Sequence, residues 1–324
     1  MAEPRTYSDL RAEVLAHLDE SGDTGTTRTL VNYALTQAHE QRCAQFPWSF
    51  MLWPSMETFD TVASQRDYAL HQEFLRPLYF RNRTTRRYLS EIPLRMLQAT
   101  AADWINDSGT ADGFYIQGYS PVLVQPSAAS TVNIVSSSAS DTTAAKAITV
   151  RGMTSSGITT ESLTPNGVTT VTGTTSFTRI LNVTKAASWV GTCTLKAGST
   201  TLLTLFATEL GRSYPQMFLT RLPSSVETLE YRFYRRPSPF SNDNDMPDIP
   251  PPFERILVWD ALLILATYVP EVNGTAVGLW KRLQEDALLD MHSAFQEGQS
   301  IGAVAEYIAD TRDPLATGIT FVRS

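Results

Sequence analysis

The chain is short of the residues that usually carry catalysis or hold metals. It has two cysteines, Cys43 and Cys193. Two are too few for a disulfide framework or a metal set, and each reads as a buried or idle thiol in a reducing cytoplasm. The four histidines are His17, His39, His71 and His292. No His-x-His or His-Glu-x-x-His spacing occurs, so zinc-site patterns are excluded, and His17 and His39 read as residues on polar helix faces. No Gly-x-Ser-x-Gly elbow and no Walker loop is found. Gly22 and Gly25 in ESGDTGTTR lack the Gly-Lys-Ser/Thr ending and read as a capping turn. Charge is sparse at 18%, with a net value of −7, which disfavours a tight grip on nucleic-acid phosphates. Long apolar runs are missing too. The stretch 256–269 is interrupted by Asp260 and falls short of the about 20 residues a membrane helix needs. It reads as a helix buried in protein, with no membrane partner. The polar start MAEPRTYSDLRAEV reads as entering a helix and not as a signal peptide.

One zone stands out by composition. Residues 121–213 hold 34 Ser plus Thr in 93 positions and only 9 charged residues. The other 231 positions hold the remaining 50 charges, about twice the density. Within the zone short apolar/polar alternations recur, as at Ile148 and Val150, at Phe177, Arg179, Leu181 and Val183, and at Cys193 and Leu195. Asn166-Gly167 supplies a two-residue hairpin signal. About seven strands at this spacing describe an all-β sandwich. The expected organisation is a host domain in two parts, 1–120 and 214–300, split by a sandwich at 121–213 and followed by an extended C-terminal arm at 301–324. The expected class is α+β: a mostly helical host with short strands, interrupted by an inserted all-β sandwich.

In the host, Thr6 and Asp9 suit a helix cap, and Leu10, Val14 and Leu18 mark one face of a first helix. A second helix runs from about Thr26 to Phe46, where Pro47 stops it, with Arg28 and Arg42 outside its apolar stripe. FPWSFMLWP then concentrates Trp48, Phe50 and Trp53 into a hydrophobic plug. Residues 58–62 and 67–70 predict a hairpin, 78–83 and 86–89 a strand pair, and 94–105 a third helix. Arg76, Arg81, Arg83, Arg86 and Arg87 crowd into twelve residues with Tyr79, Phe80 and Tyr88 between them. This stretch fits a solvated cationic sheet face, a docking surface for an acidic protein or a nucleic-acid contact. Arg235 and Arg236 close a segment of the same texture, so one sheet carrying both would offer an Arg/Tyr interface face. Asp243, Asp245 and Asp248 lie in a Pro-rich extended stretch, read as a solvated linker or as a contact with a neighbouring subunit. Pro252 opens an apolar helix, and a final helix spans about 276–296.

The host segments resemble the head-to-tail adaptor, or connector, proteins of tailed bacteriophages. The resemblance rests on the Phe-Pro-Trp-x-Phe plug, the Tyr68-Ala69-Leu70 strand leading into Phe74-Leu75-Arg76, and the stretch from Asp243 to Pro251 leading into Phe253. The zone SSSASDTTAAKAITVRG…SFTRILNVTKAASWVGTCTL is similar to immunoglobulin-like domains of phage structural proteins. The resemblance implies a homo-oligomeric ring, usually of twelve copies, at the head-tail junction of a virion assembled in the bacterial cytoplasm. Its partners would be the portal protein and a tail tube, tail terminator or nozzle protein. Double-stranded DNA would pass through the channel without sequence-specific binding. The arm would reach the portal with Ile301, Tyr307, Ile308, Ile319 and Phe321. Arg81, Arg83, Arg86, Arg87, Arg235, Arg236, Asp243 and Asp245 are the candidate subunit or partner contacts. No catalytic, cofactor or metal residues are expected, and no enzyme activity. The alternative is a tail-associated glycan-binding protein that uses the sandwich, with Trp189 as the one aromatic large enough for a sugar platform. A tail hydrolase would need an acid/base pair, and none stands out.

Overall fold

The computed structural model describes residues 4–18, 25–100, 104–268 and 274–296. The chain opens with α1 (Tyr7–His17) and α2 (Gly25–Gln45), followed by β1 (Glu57–Asp60), β2 (Asp67–Ala69), β3 (Phe74–Asn82), β4 (Arg87–Tyr88), β5 (Ser90–Glu91) and α3 (Leu94–Thr100). Next come β6 (Ser108–Gly109), β7 (Gly113–Ser120), β8 (Ser130–Ser136), β9 (Ile148–Thr154), β10 (Gly157–Leu163), β11 (Val171–Phe177), β12 (Arg179–Lys185), β13 (Cys193–Ala197) and β14 (Thr200–Leu205). β15 (Tyr214–Leu219), β16 (Leu222–Pro223) and β17 (Thr228–Arg235) follow, and α4 (Arg255–Leu265) and α5 (Gly274–Gln296) come last.

The chain divides into two compact units. The first comprises 1–56, 75–78 and 232–324 and contains α1, α2, α4 and α5. Its entry is a capping box: Asp9 N–H donates to Thr6 Oγ1, and Thr6 N–H donates back to the Asp9 carboxylate. Leu10, Val14, Leu35, Ile256, Leu257 and Leu262 are among its fully buried side chains. α4 is covered almost all round, because two turns of its sequence are apolar on every side. Arg42 is inside as well, contrary to the helical-wheel expectation. Its guanidinium meets Asp260 at 2.8 and 2.6 Å in a bidentate pair, which satisfies both charges out of water.

The second unit comprises 57–74 and 79–231. One of its sheets has the order β2-β15-β7-β5. Two others, β10-β9-β12 and β11-β8-β13-β14, share one core that includes Val132, Ile134, Val150, Phe177, Trp189 and Leu195. The chain enters and leaves these strands side by side, because Ser120 at the end of β7 opposes Tyr214 at the start of β15. Asn166-Gly167 turns between β10 and β11, which lie in different sheets, so it makes a corner and not the expected hairpin. Gly167 has φ 59°, and a Cβ there would lie 2.9 Å from the Ala139 backbone oxygen, so glycine is required twice over.

The mostly helical host interrupted by a sandwich is corrected by the structure, which is predominantly β, with 35% strand against 29% helical. The reason is non-local pairing. β7 and β15 pair with Met217 opposite Ile116, about a hundred positions apart. Neither Gly113–Ser120, broken by glycines, nor Tyr214–Leu219, with Pro215, carries a clean strand pattern by itself. The expected 58–62/67–70 hairpin also gives way: β1 pairs with β17 and β2 with β15. Of the helix expected over 94–105, Leu94–Thr100 is α-helical and Trp104–Asn106, at its expected end, is a single 3₁₀ turn.

Candidate functional site

The arginine-rich stretch forms the β3–β4 hairpin, with Arg81 opposite Tyr88. Its base is fixed by buried polar groups. The Asn82 amide donates to Glu227 Oε2 at 2.6 Å, its Oδ1 accepts from Thr85 N–H at 3.1 Å, and Glu227 also accepts from Ala111 N–H at 3.1 Å. The turn is tied to β17, because Arg83 N–H donates to Thr228 O at 2.8 Å and Thr228 N–H donates to Thr84 Oγ1 at 3.1 Å. Arg81 and Arg83 both lean on Glu230, at 3.6 and 3.4 Å. That carboxylate belongs to β17 and is only 5% exposed. The Arg81 guanidinium also lies 5.7 Å from the Tyr88 ring centre, and Tyr79 meets Tyr88 edge-on. Beyond this anchored part, Arg86 and Arg87 are exposed and form no ion pair among the described residues. Arg86 holds φ 59°, a left-handed conformation that costs a side-chain-bearing residue about 1–2 kcal/mol.

The helical unit holds the other predicted residues. Trp48 is 3% exposed and donates from Nε1 to Arg42 O at 2.8 Å. Its ring stacks on Phe50 at 5.8 Å, and Phe50 meets Phe295 at 5.0 Å. Trp53 is half-buried and stacked on Phe233 at 5.6 Å. Arg235 is held by Asp248 at 2.5 Å, and Arg236 is half-buried. Asp243 accepts from Arg11 at 2.8 Å and Arg28 at 3.3 Å. The Arg11 hydrogen bond holds its carboxyl below the usual range. Asp245 accepts the N–H groups of Ser241 and Asn242. The backbone oxygens of Asp243 and Asp245 receive Ser8 and Tyr7 N–H at 3.0 and 2.8 Å. This stretch is therefore a strap pinned onto the start of α1 by its own chain. Ile301, Tyr307, Ile308, Ile319 and Phe321 lie outside the described residues.

The family model of the SU10 adaptor protein matches residues 5–307. The chain belongs to the SU10 adaptor family. That membership makes it a phage adaptor and a virion component. The match takes in both compact units and the Ser/Thr-rich strands alike. No curated protein matches the chain.

In this SU10-family adaptor, several structural residues escaped the sequence reading. Glu230 and Glu227 anchor the hairpin, and their only signal was two acids three residues apart at the start of an otherwise apolar and cationic segment, Glu227 just before β17 and Glu230 within it. His39 is 1% exposed and not on a polar face. It accepts Asp248 N–H at Nε2, 3.1 Å away, and burial, outweighing the attraction of the Asp248 carboxylate, lowers its pKa to about 4. It is therefore neutral at pH 7, and its 3.6 Å contact with Asp248 is not an ion pair there. Cys43 and Cys193 are buried and free, and burial pushes both thiols up to about 12, which suppresses nucleophilic thiolate. A cleft of about 900 Å³ opens between α2, α4 and α5, lined in part by Tyr33, Gln41, Arg42, Asp260 and Gln284. Its carboxylate, Asp260, is occupied by Arg42 and Gln284. Among the described residues no group of three or more His, Cys, Asp or Glu is placed to hold a metal, and no helix is long and apolar enough to cross a membrane.

Proposed function

We propose that the chain is a head-to-tail adaptor whose copies, twelve by analogy with the resembled connectors, form a ring beneath the portal. The ring joins the capsid to the tail tube, tail terminator or nozzle and continues the DNA channel. The observation that carries this reading is the family match over 5–307. In the proposal residues 121–213 are an inserted immunoglobulin-like domain, and residues 301–324 reach the portal. The chain turns over no substrate, and DNA passes without sequence-specific contact. The net charge of −7 supports the last point, since a channel lined by some of these acids repels phosphates. The glycan reading has no observation in its favour: Trp189 is 4% exposed, with its Nε1 donating to Lys146 O, so it offers no sugar platform. The test is native mass spectrometry and negative-stain imaging of the purified chain, alone and with its portal protein. A closed ring on the portal is expected. Failure to bind the portal, or binding as single copies, contradicts it, and so does a map of the ring showing an arginine-lined lumen.

A further inference from the structure

We propose that the Arg86–Arg87 tip of the β3–β4 hairpin docks onto the acidic outer face of α5 in a second copy of this chain. The inference rests on the ring reading and specifies its subunit contact. Three observations carry it. First, the tip is a prepared cation pair. Arg81 and Arg83 are drawn back onto Glu230, while Arg86 and Arg87 are exposed without an ion pair among the described residues. The turn below them is tied to Glu227 and Thr228, so docking has to order the two arginine side chains but not the backbone that carries them. Arg86 also occupies a left-handed position, at φ 59°, that glycine or asparagine would fill with less strain. Strain retained at an exposed tip motivates a role for the side chain itself.

Second, charge is partitioned between the two units. The second unit has 13 Lys plus Arg against 13 Asp plus Glu, and the first has 13 against 20, so the whole net charge of −7 lies in the first. A cationic tip on the neutral unit complements the acidic unit of another copy. Such a contact is head-to-tail, the kind that closes into a ring when the rotation fits.

Third, α5 offers a matching face. Glu285, Asp286 and Asp290 are exposed and make no ion pair among the described residues. They surround Leu289, which is 67% exposed, so the face combines carboxylates with an apolar contact, as interfaces do. Lys281 and Arg282 stand one turn earlier, also exposed, and bound the acidic patch at its N-terminal side. A nucleic acid fits the tip less well than a second copy, because the chain as a whole is acidic.

Charge reversal tests this on the full-length chain. Two variants, Arg86→Glu/Arg87→Glu and Asp286→Arg/Asp290→Arg, are compared with wild type by sedimentation velocity at low and high salt, with circular dichroism confirming that both fold. Wild type is expected to self-associate, more weakly at high salt. Each variant alone should associate more than about tenfold more weakly, because like charges now face each other. An equimolar mixture should recover assembly, since both contacts are again attractive. Variants that assemble like wild type, or a mixture that stays monomeric while wild type assembles, overturn the contact and leave the ring reading intact. A wild-type chain that never self-associates, even with portal present, overturns the ring reading itself. Duplex-DNA retention lost in the first variant with self-association unchanged assigns the tip to nucleic acid and also overturns the proposal.

Discussion

At Trp48 two demands meet: the indole is 3% exposed, and its Nε1 is bonded to Arg42 O at 2.8 Å. Trp48→Ala removes the ring that Phe50 stacks on and orphans that carbonyl, so a loss of about 3–5 kcal/mol is expected, a large part of a total of roughly 5–15 kcal/mol. An unchanged thermal melt would contradict this placement. His39 makes a pH prediction. Its folded pKa of about 4 lies below the ordinary 6.5, so the unfolded chain takes up the proton first. The stability that neutral His39 contributes is complete above about pH 6.5 and is lost as pH falls towards 4, by roughly 3 kcal/mol in all. His39→Gln keeps an acceptor for Asp248 N–H and removes the titration. Its urea-unfolding free energy should therefore vary less between pH 7 and pH 5 than that of wild type, and parallel curves would refute the assignment. Neither effect was fully legible beforehand. The plug announces itself by four aromatic side chains in eight residues, whereas a helical histidine shows no burial until its covering segment is placed.

Among the elements, the loops at one end of β8 and β13 are clipped by a single buried carboxylate. Asp141 is 0% exposed and accepts from Ser136, Lys146, Val190 N–H and Gly191 N–H at 2.6–3.0 Å. Burial alone would raise its pKa, but these hydrogen bonds win and hold the carboxyl well below the usual range. Its stabilising contribution is thus present above about pH 4 and shrinks only as pH falls further. Asp141→Ala should cost about 3–5 kcal/mol, because it strands Lys146 and two amides. Differential scanning calorimetry should show a lower transition temperature, and no shift would mean that water replaces the carboxylate. The serine-rich string around Asp141 gave no hint of this clip, since two of its four partners, Val190 and Gly191, lie about fifty positions away. By contrast, the Thr6/Asp9 cap and the pairing of β3 with β4 were readable, because the residues that pair lie within a few positions of each other, although the hairpin's anchors Glu227 and Glu230 do not.

For the whole molecule, Ser120 opposite Tyr214 makes excision of the intervening strands the informative experiment. Joining 1–120 to 214–324 through a short linker should leave the helical core folded, as termini of an inserted domain usually lie together. Tyr214 and Ala69 would lose their packing against the shared core, and Asp67 would lose Arg179, now at 2.6 Å. A modest fall in melting temperature with retained helical circular dichroism is therefore expected. Loss of the helical signal would show that residues 121–213 are integral to the rest of the chain.

The amino-acid order alone settled what is local: the capped first helix, the aromatic plug, the cationic hairpin, the poverty in metal ligands and the abrupt change in composition at 121–213. Tertiary structure decided the β-rich character, the pinning of the Asp243–Asp245 strap by Arg11 and Arg28, and which arginines are neutralised by Glu230. Those outcomes depend on pairings between segments far apart in the chain, where loop-closure entropy is offset only by the sum of ladder hydrogen bonds and buried area. No short window of sequence carries that sum.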